Sequence, residues 1–240
     1  MDPRLAEHRR QWEGKPVLRA IYTDLYRRMA ARLAPGRSLE VGGGSGNLKA
    51  FAPEVVATDL LEVPWLDAVA DAQALPFSDA SFENIVLFDV LHHLARPRAF
   101  FEEAARILGK GGRLVMVEPA ITPLSGLFYR FLHPEPVALR VDPLADQETG
   151  PARDAFEANQ AIPTLLFGRQ RPAFQQAFPQ FRVSETAFLS LFAYPLSGGF
   201  RPWSLIPAGA VPTVLRIEDG LLPLLGPLMG FRMLIVLERL

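Results

Sequence analysis

Ser38 to Phe51 reads SLEVGGGSGNLKAF, with glycine at 42, 43, 44 and 46 behind a short apolar run and Glu40. Few features limit a fold more. Glycine lacks a Cβ, so it reaches φ > 0 and lets a ligand touch the main chain. An apolar run that breaks into such a turn predicts a buried strand ending at a ligand site. Two familiar nucleotide loops are excluded by spacing. A phosphate loop needs lysine and a hydroxyl residue after its last glycine, and the residues in that register here do not match. A Gly-x-Gly-x-x-Gly fingerprint fails as well, because Asn47 or Lys49 stands where its last glycine belongs. What remains is acid-x-Gly-x-Gly-x-Gly, from Glu40 to Gly46.

The rest of the chain supplies a sheet around that turn. An amphipathic helix is expected over residues 16–33, with Val17, Ile21, Leu25 and Met29 on one face. Strands follow at RSLEVG, EVVATDL, LDAVAD, FENIVLFD and GRLVMVEP. A helix expected to begin at Pro97 and close at Gly109 separates the last two. Apolar strands of this kind suit a parallel sheet covered on both faces. Further strands are expected at RVSETAFLSLFAY and FRMLIVLERL, and short helices at SGLFYRFL, DAFEANQAI and RPAFQQAFPQF.

Composition sets the bounds. At 240 residues the chain suits a single α/β domain. The formal net charge is −1 with no basic run, which gives no electrostatic case for nucleic acid. There is no cysteine, so thiolate metal sites and disulfides are out. The first residues are charged and unlike a signal peptide, so a cytoplasmic protein is expected. The final third is rich in apolar residues, but prolines and glycines interrupt every run before it reaches spanning length. It is expected to form buried core and a pocket wall, with shallow membrane contact as the alternative. Nothing in the sequence fixes the oligomeric state.

From Ser38 to Pro119 the chain resembles the class I S-adenosylmethionine-dependent methyltransferases of the small-molecule type 11 family. The resemblance rests on the glycine turn, VVATDL, ADAQALPF, SFENIVLFDVLHHLARP and EEAARILGKGGRLVMVEP, in that order. It implies a doubly wound, Rossmann-like α/β sheet of seven strands with the last antiparallel. It implies S-adenosylmethionine as cofactor, held by Glu40, Gly42, Gly43, Gly44 and Gly46, by Asp59 and Leu60 at the second strand, by Asp71 and Ala72, and by the Phe88 carbonyl. Glu40 would meet the ammonium, Asp59 the ribose hydroxyls, Asp71 the adenine amino group. Leu61 and Leu75 would serve with Leu60 as apolar walls. The chain departs from the family between Asp59 and Asp71, where a crossover helix scarcely fits. A compressed loop is expected there, with Trp65 over the sheet or the adenine.

His92 and His93 are the candidate bases, His92 slightly favoured, and adjacency argues against both entering one pocket. Glu118 ends the fifth strand. His133 and Glu135 suggest a metal pair but no third ligand stands out, so no metal is expected. Tyr22 and Tyr26 would either lid the cofactor or pack in the core. Residues 15–119 are expected to form the cofactor core of one domain spanning 1–240, with 120–180 and 195–230 as insertions roofing an acceptor pocket. Phe128, Phe131, Phe167, Phe174, Phe178, Phe188 and Phe192 give those insertions an apolar character, which points to a small, apolar or lipid-like acceptor. The competing function is a non-catalytic cofactor-binding or scaffolding protein that uses the apolar final third as an interface.

Overall fold

The computed structural model describes residues 2–145 and 154–240. Within the expected first insertion, 146–153 therefore lie outside the described residues. Seven strands form one sheet: β1 (Ser38–Val41), β2 (Val56–Asp59), β3 (Ala68–Val69), β4 (Phe82–Phe88), β5 (Leu108–Pro119), β6 (Phe181–Leu189) and β7 (Arg232–Arg239). Their spatial order is β3-β2-β1-β4-β5-β7-β6. The pairs among β1 to β5 are parallel, and β7 runs antiparallel to both β5 and β6. The order reverses at β1, which sets the glycine turn beside the end of β4, at the kind of switch point where such sheets bind ligands.

The apolar runs of β4, β5 and β7 alternate between two cores. Ile85, Leu87, Leu114, Met116, Ile235 and Leu237 face one, and Val86, Val115, Val117, Leu234 and Val236 face the other. Strands buried on both faces must be apolar at nearly every position, which is why these segments show no polar alternation. The first face is covered by α3 (Pro97–Ile107) through Phe100, Phe101 and Ala104, and by α6 (Arg171–Ala177) through Phe174. The second is covered by α2 (Pro16–Ala30), whose Leu18, Ile21, Leu25 and Met29 are buried at helical spacing. The remaining helices are α1 (Pro3–Gly14), α4 (Pro123–Leu132), the single turn α5 (Ile162–Thr164), α7 (Ala193–Ser197) and α8 (Val211–Met229).

Several elements differ from expectation for identifiable reasons. The helix after the glycine turn is one 3-10 turn, Leu48–Ala50, because Pro53 and the short path to β2 leave no room for more. The link from β2 to β3 is a loop without a helix, as expected, but β3 itself is only an exposed two-residue edge. The α3 helix stops at Ile107, ahead of Gly109, and β5 begins at once. The strand from Phe181 ends at Leu189, where Ser190 takes φ +57 and turns the chain into α7. Residues 154–161 form turns before α5. The second expected insertion is mostly the regular helix α8, despite Pro223 and Pro227 within it. Both prolines are exposed, so the carbonyls they leave without helical partners lie on the solvated side.

The N-terminal helices are fastened to the far end of the chain. Lys15 is buried, and its Nζ donates to the carbonyls of Ser197 (2.6 Å), Gly199 (2.7 Å), Arg201 (2.6 Å) and Trp203 (2.8 Å). His8 stacks on Phe200 beside this clasp, with ring centroids 4.6 Å apart.

Candidate active site

A cavity of ≈ 1010 Å³ opens at the carboxyl ends of β1, β2, β4 and β5. One side is made by the glycine turn. Gly42 has φ +71, and a Cβ there would stand 2.4 Å from Val90 Cγ2. Gly46 has φ +74, and its Cβ would meet Trp65 at 2.8 Å. Both positions therefore demand glycine. Trp65 Nε1 donates to the Gly44 carbonyl at 2.8 Å. The indole thus braces the turn from behind and does not cover an adenine site. Its loop is the compressed connection expected from the sequence.

Three carboxylates line this side with Gly42, Gly43 and Gly44. Asp59 accepts from the Gly44 N–H through Oδ2 and from the Leu61 N–H through Oδ1, both at 2.9 Å. A carboxylate has about four acceptor sites, so each oxygen keeps one. Asp71 Oδ1 accepts from Gln73 N and Nε2, and Ala72 follows it on the cavity wall. Leu60 is half exposed to the cavity side, with Leu61 beside it. Leu75 is buried in the core and is absent from the wall. Glu40 is buried, and its Oε2 has no hydrogen-bond partner. Burial, with the Asp59 charge nearby, pushes its carboxyl up to about 8. A carboxylate in this state gains strongly from a cation placed beside it.

The opposite side is ionic and aromatic. Tyr22, Tyr26, Phe88, Tyr129, Tyr194 and Phe200 all reach the cavity. Tyr22 and Tyr26 belong to the core as well, so packing and lining are one role here. Of the phenylalanines expected in the pocket, only Phe128 lines it. Phe167, Phe174 and Phe178 pack against Phe101 in the core, and Phe131 points to solvent. From the second expected insertion, residues up to Trp203 reach the cavity, while α8 packs on α2, α4 and β6 and contributes nothing to its wall.

The two histidines occupy a 3-10 turn, Leu91–His93, and both line the cavity, which adjacency alone did not predict. Glu118 sets the arrangement. Its Oε1 accepts from the N–H groups of Val90 (2.9 Å) and Leu91 (2.8 Å), and its Oε2 meets His92 Nδ1 at 2.7 Å. His92 Nε2 lies 3.7 Å from Glu135 Oε2. Burial alone would lower the His92 pKa, but its bonds to Glu118 and Glu135 outweigh that and raise it to about 9. Glu135 moves the other way, down to about 2, where the His92 contact overcomes burial. His92 is therefore an imidazolium between two carboxylates at neutral pH. His93 is the reverse case. Burial and the neighbouring His92 charge lower its pKa, and its Nδ1 lies 3.2 Å from the Glu157 carbonyl. It is neutral at pH 7. Glu135 also brings a third donor to the histidines: His92, His93 and Glu135 each offer a ligand atom within 4.8 Å of the others, a set that could hold a cation.

Several residues of the site escaped sequence reasoning, among them Asp89, Tyr129, Tyr194 and above all Arg232. Arg232, the first residue of β7, is level with Pro119 at the carboxyl edge. It is buried, pairs with Asp89 and lies 4.2 Å from the Tyr194 ring centroid and 5.3 Å from that of Phe88. Asp89 itself takes φ +57 just past β4. An arginine inside FRMLIVLERL was the only available signal.

Residues 39–116 match the model of the type 11 family described as a methyltransferase domain. That segment is thus similar to a methyltransferase domain. The chain is 31% identical over 134 residues to the ubiquinone/menaquinone biosynthesis C-methyltransferase of Dinoroseobacter shibae, covering 46% of this chain and 53% of the relative. It is 34% identical over 126 residues to the demethylmenaquinone methyltransferase of Thermus thermophilus, covering 42% and 56%. The chain thus spans about half the length of these relatives. Beyond the matched segment the fold itself is shared. A SAM-dependent methyltransferase from Archaeoglobus fulgidus superposes with a TM-score of 0.52 over 96% of this chain and 97% of its own, at 13% identity.

Proposed function

We propose that the protein transfers a methyl group from S-adenosylmethionine to a small, apolar acceptor bearing an acidic hydroxyl. The cavity carries this reading. Single-ligand pockets run to roughly 300–1,000 Å³, and ≈ 1010 Å³ continuous from the glycine turn to Tyr129 and Tyr194 leaves room for a cofactor and an acceptor together.

The cofactor fits the residues present. Its ammonium answers the unpartnered Glu40 Oε2, and the Phe88 carbonyl lies at the end of β4 to share it. Its ribose hydroxyls answer the two open acceptor sites of Asp59. Its adenine fits beside Asp71, Ala72 and Leu60. When bound, it supplies a methyl group already activated by positive sulfur. The protein's own work is to align the acceptor, exclude water and take a proton. The aromatic side of the cavity does the first two. His93, neutral and on the wall, takes the proton of the acceptor hydroxyl. His92 cannot, because it already holds its proton between Glu118 and Glu135, and it serves to fix Glu135 across the cavity. The names of relatives that act in menaquinone and ubiquinone biosynthesis support an acceptor related to those quinones.

The test has two stages. Calorimetry with S-adenosylhomocysteine should show binding at one site and none for NAD. A methyl-transfer assay over hydroxylated aromatic acceptors should then show turnover that falls about 10²–10⁴-fold in His93→Ala, the usual range for losing a general base, with cofactor affinity unchanged. Absence of S-adenosylhomocysteine binding would end the cofactor reading. Full turnover in His93→Ala would end the base assignment.

A further inference from the structure

The final third was expected to be buried core and pocket wall, with shallow membrane contact as the alternative, and much of the apolar surface of α8 there, and of α4 beside it, is in water. Along α4, Leu124, Leu127 and Phe131 recur at helical spacing on the outer side, and Phe131 is 71% exposed. Leu205 is 72% exposed and Leu224, on α8, 78%. These elements are joined. α4 packs on α8, Thr122 Oγ1 donates to the Gly230 carbonyl at 3.3 Å, and Arg201 Nη2 donates to the Leu132 carbonyl at 3.1 Å. Soluble monomers rarely leave so many large apolar side chains together in solvent without a use for them.

Charge selects the occupant. Residues 123–134 and 196–217 contain no aspartate or glutamate, but they contain Arg130, Arg201 and Arg216, all exposed. The second half of α8, residues 220–229, has no charge at all. A second copy of the chain docking by a twofold axis would set these arginines against their own kind, with no acid in either segment to answer them. An apolar face rimmed by arginine instead matches a bilayer whose head groups are anionic. No helix among the described residues is long and apolar enough to cross a membrane, so contact would lie in the plane of the interface. We propose that the outer face of α4, together with Leu205 and the second half of α8, docks the protein on an anionic lipid surface. The flank of α4 next to this stripe carries Phe128 to the cavity, and its opposite side carries Tyr129. An acceptor with an apolar tail thus passes from bilayer to cavity along one helix. That delivery role rests on the methyl-transfer reading, whereas the docking does not.

Vesicle flotation with the full chain tests it. The protein should float with phosphatidylglycerol-containing vesicles and far less with pure phosphatidylcholine, and added salt should weaken the association. Leu127→Ser with Phe131→Ser should reduce partitioning roughly tenfold or more, since two large apolar side chains no longer enter the interface. Arg130→Glu with Arg216→Glu should remove the preference for anionic vesicles. Neither pair lines the cavity, so S-adenosylhomocysteine affinity should be unchanged in both, which also verifies folding. Failure of the wild type to float, equal flotation of the variants, or a dimer that Leu127→Ser with Phe131→Ser converts to monomer would overturn the proposal. Cofactor binding without flotation removes the docking alone, and flotation without cofactor binding removes the methyl-transfer reading alone.

Discussion

The two sides of the cavity are built differently. The glycine side uses main chain and three carboxylates, all delivered by consecutive strand ends between Glu40 and Asp71. The opposite side draws Tyr22, Asp89, Glu118, Tyr129, Glu135, Tyr194 and Arg232 from seven separated places and binds them into ion pairs and ring contacts. On the first side the buried Glu40 Oε2 and Asn47 Oδ1 have no hydrogen-bond partner. On the second the charges have largely answered each other. The first side is arranged for a charged ligand of fixed shape. The second is a closed electrostatic unit that offers aromatic surface and the neutral His93 to its guest.

The contrast can be broken most forcefully at Arg232. Removing one partner of a buried ion pair typically costs about 3–5 kcal/mol, so Arg232→Met should lower unfolding stability on that scale in urea denaturation. A change under about 1 kcal/mol would show that the pair with Asp89 is not a structural unit. Next comes Asp59→Ala. Here the loss should appear in cofactor affinity, by about 2–4 kcal/mol for the charged hydrogen bonds removed, and calorimetry reads it directly. An unaltered dissociation constant in folded protein would make Asp59 a brace for Gly44 and Leu61 and nothing more.

The third effect is a pH dependence centred on His92. His92 is raised from 6.5 to about 9 in the fold. Its contribution is complete below pH 6.5 and fades as pH climbs through 9, on the order of 3 kcal/mol in all. Stability measured from pH 7 to 10 should therefore fall, and His92→Gln should flatten the curve. The smallest effect is at the surface. Phe131→Ser should alter stability by less than about 0.5 kcal/mol, because the ring is already in water. A larger loss would mean that α4 depends on Phe131 for packing.

The same contrast explains what the sequence could tell. Gly42, Asp59 and Asp71 are each fixed by the strand just before them, so local pattern and spacing were enough to place them. The parallel character of the first strands was legible as well, since runs such as NIVLF suit strands buried on both faces, whereas the antiparallel last strand came only from the family resemblance. Arg232, Tyr194 and Glu135 become site residues only through long-range pairing. Arg232 reaches the cavity because β7 runs antiparallel and starts where β5 ends. Glu135 finds His92 across 43 positions of chain, and no spacing rule encodes that meeting. The prolines of α8 misdirected the reading of that segment, because helix-breaking residues are tolerated where the carbonyls they free can reach water.

Lys15 gives the molecule an unusual internal wiring. Its ammonium draws four carbonyl oxygens from residues 197–203 around a single point, 182 to 188 positions away along the chain. Without that ammonium, four oxygens of like partial charge would face one another in a nearly dry space, and the loop could not keep its curvature. His8 and Leu5 on α1 and Phe200 and Trp203 on the loop are all walls of one chamber. The segment around Lys15 thus acts as the keystone for a wall built from residues far later in the chain. On a ribosome the chamber stays open until Trp203 has emerged, and a chain trimmed past Lys15 would lose both of those walls at once.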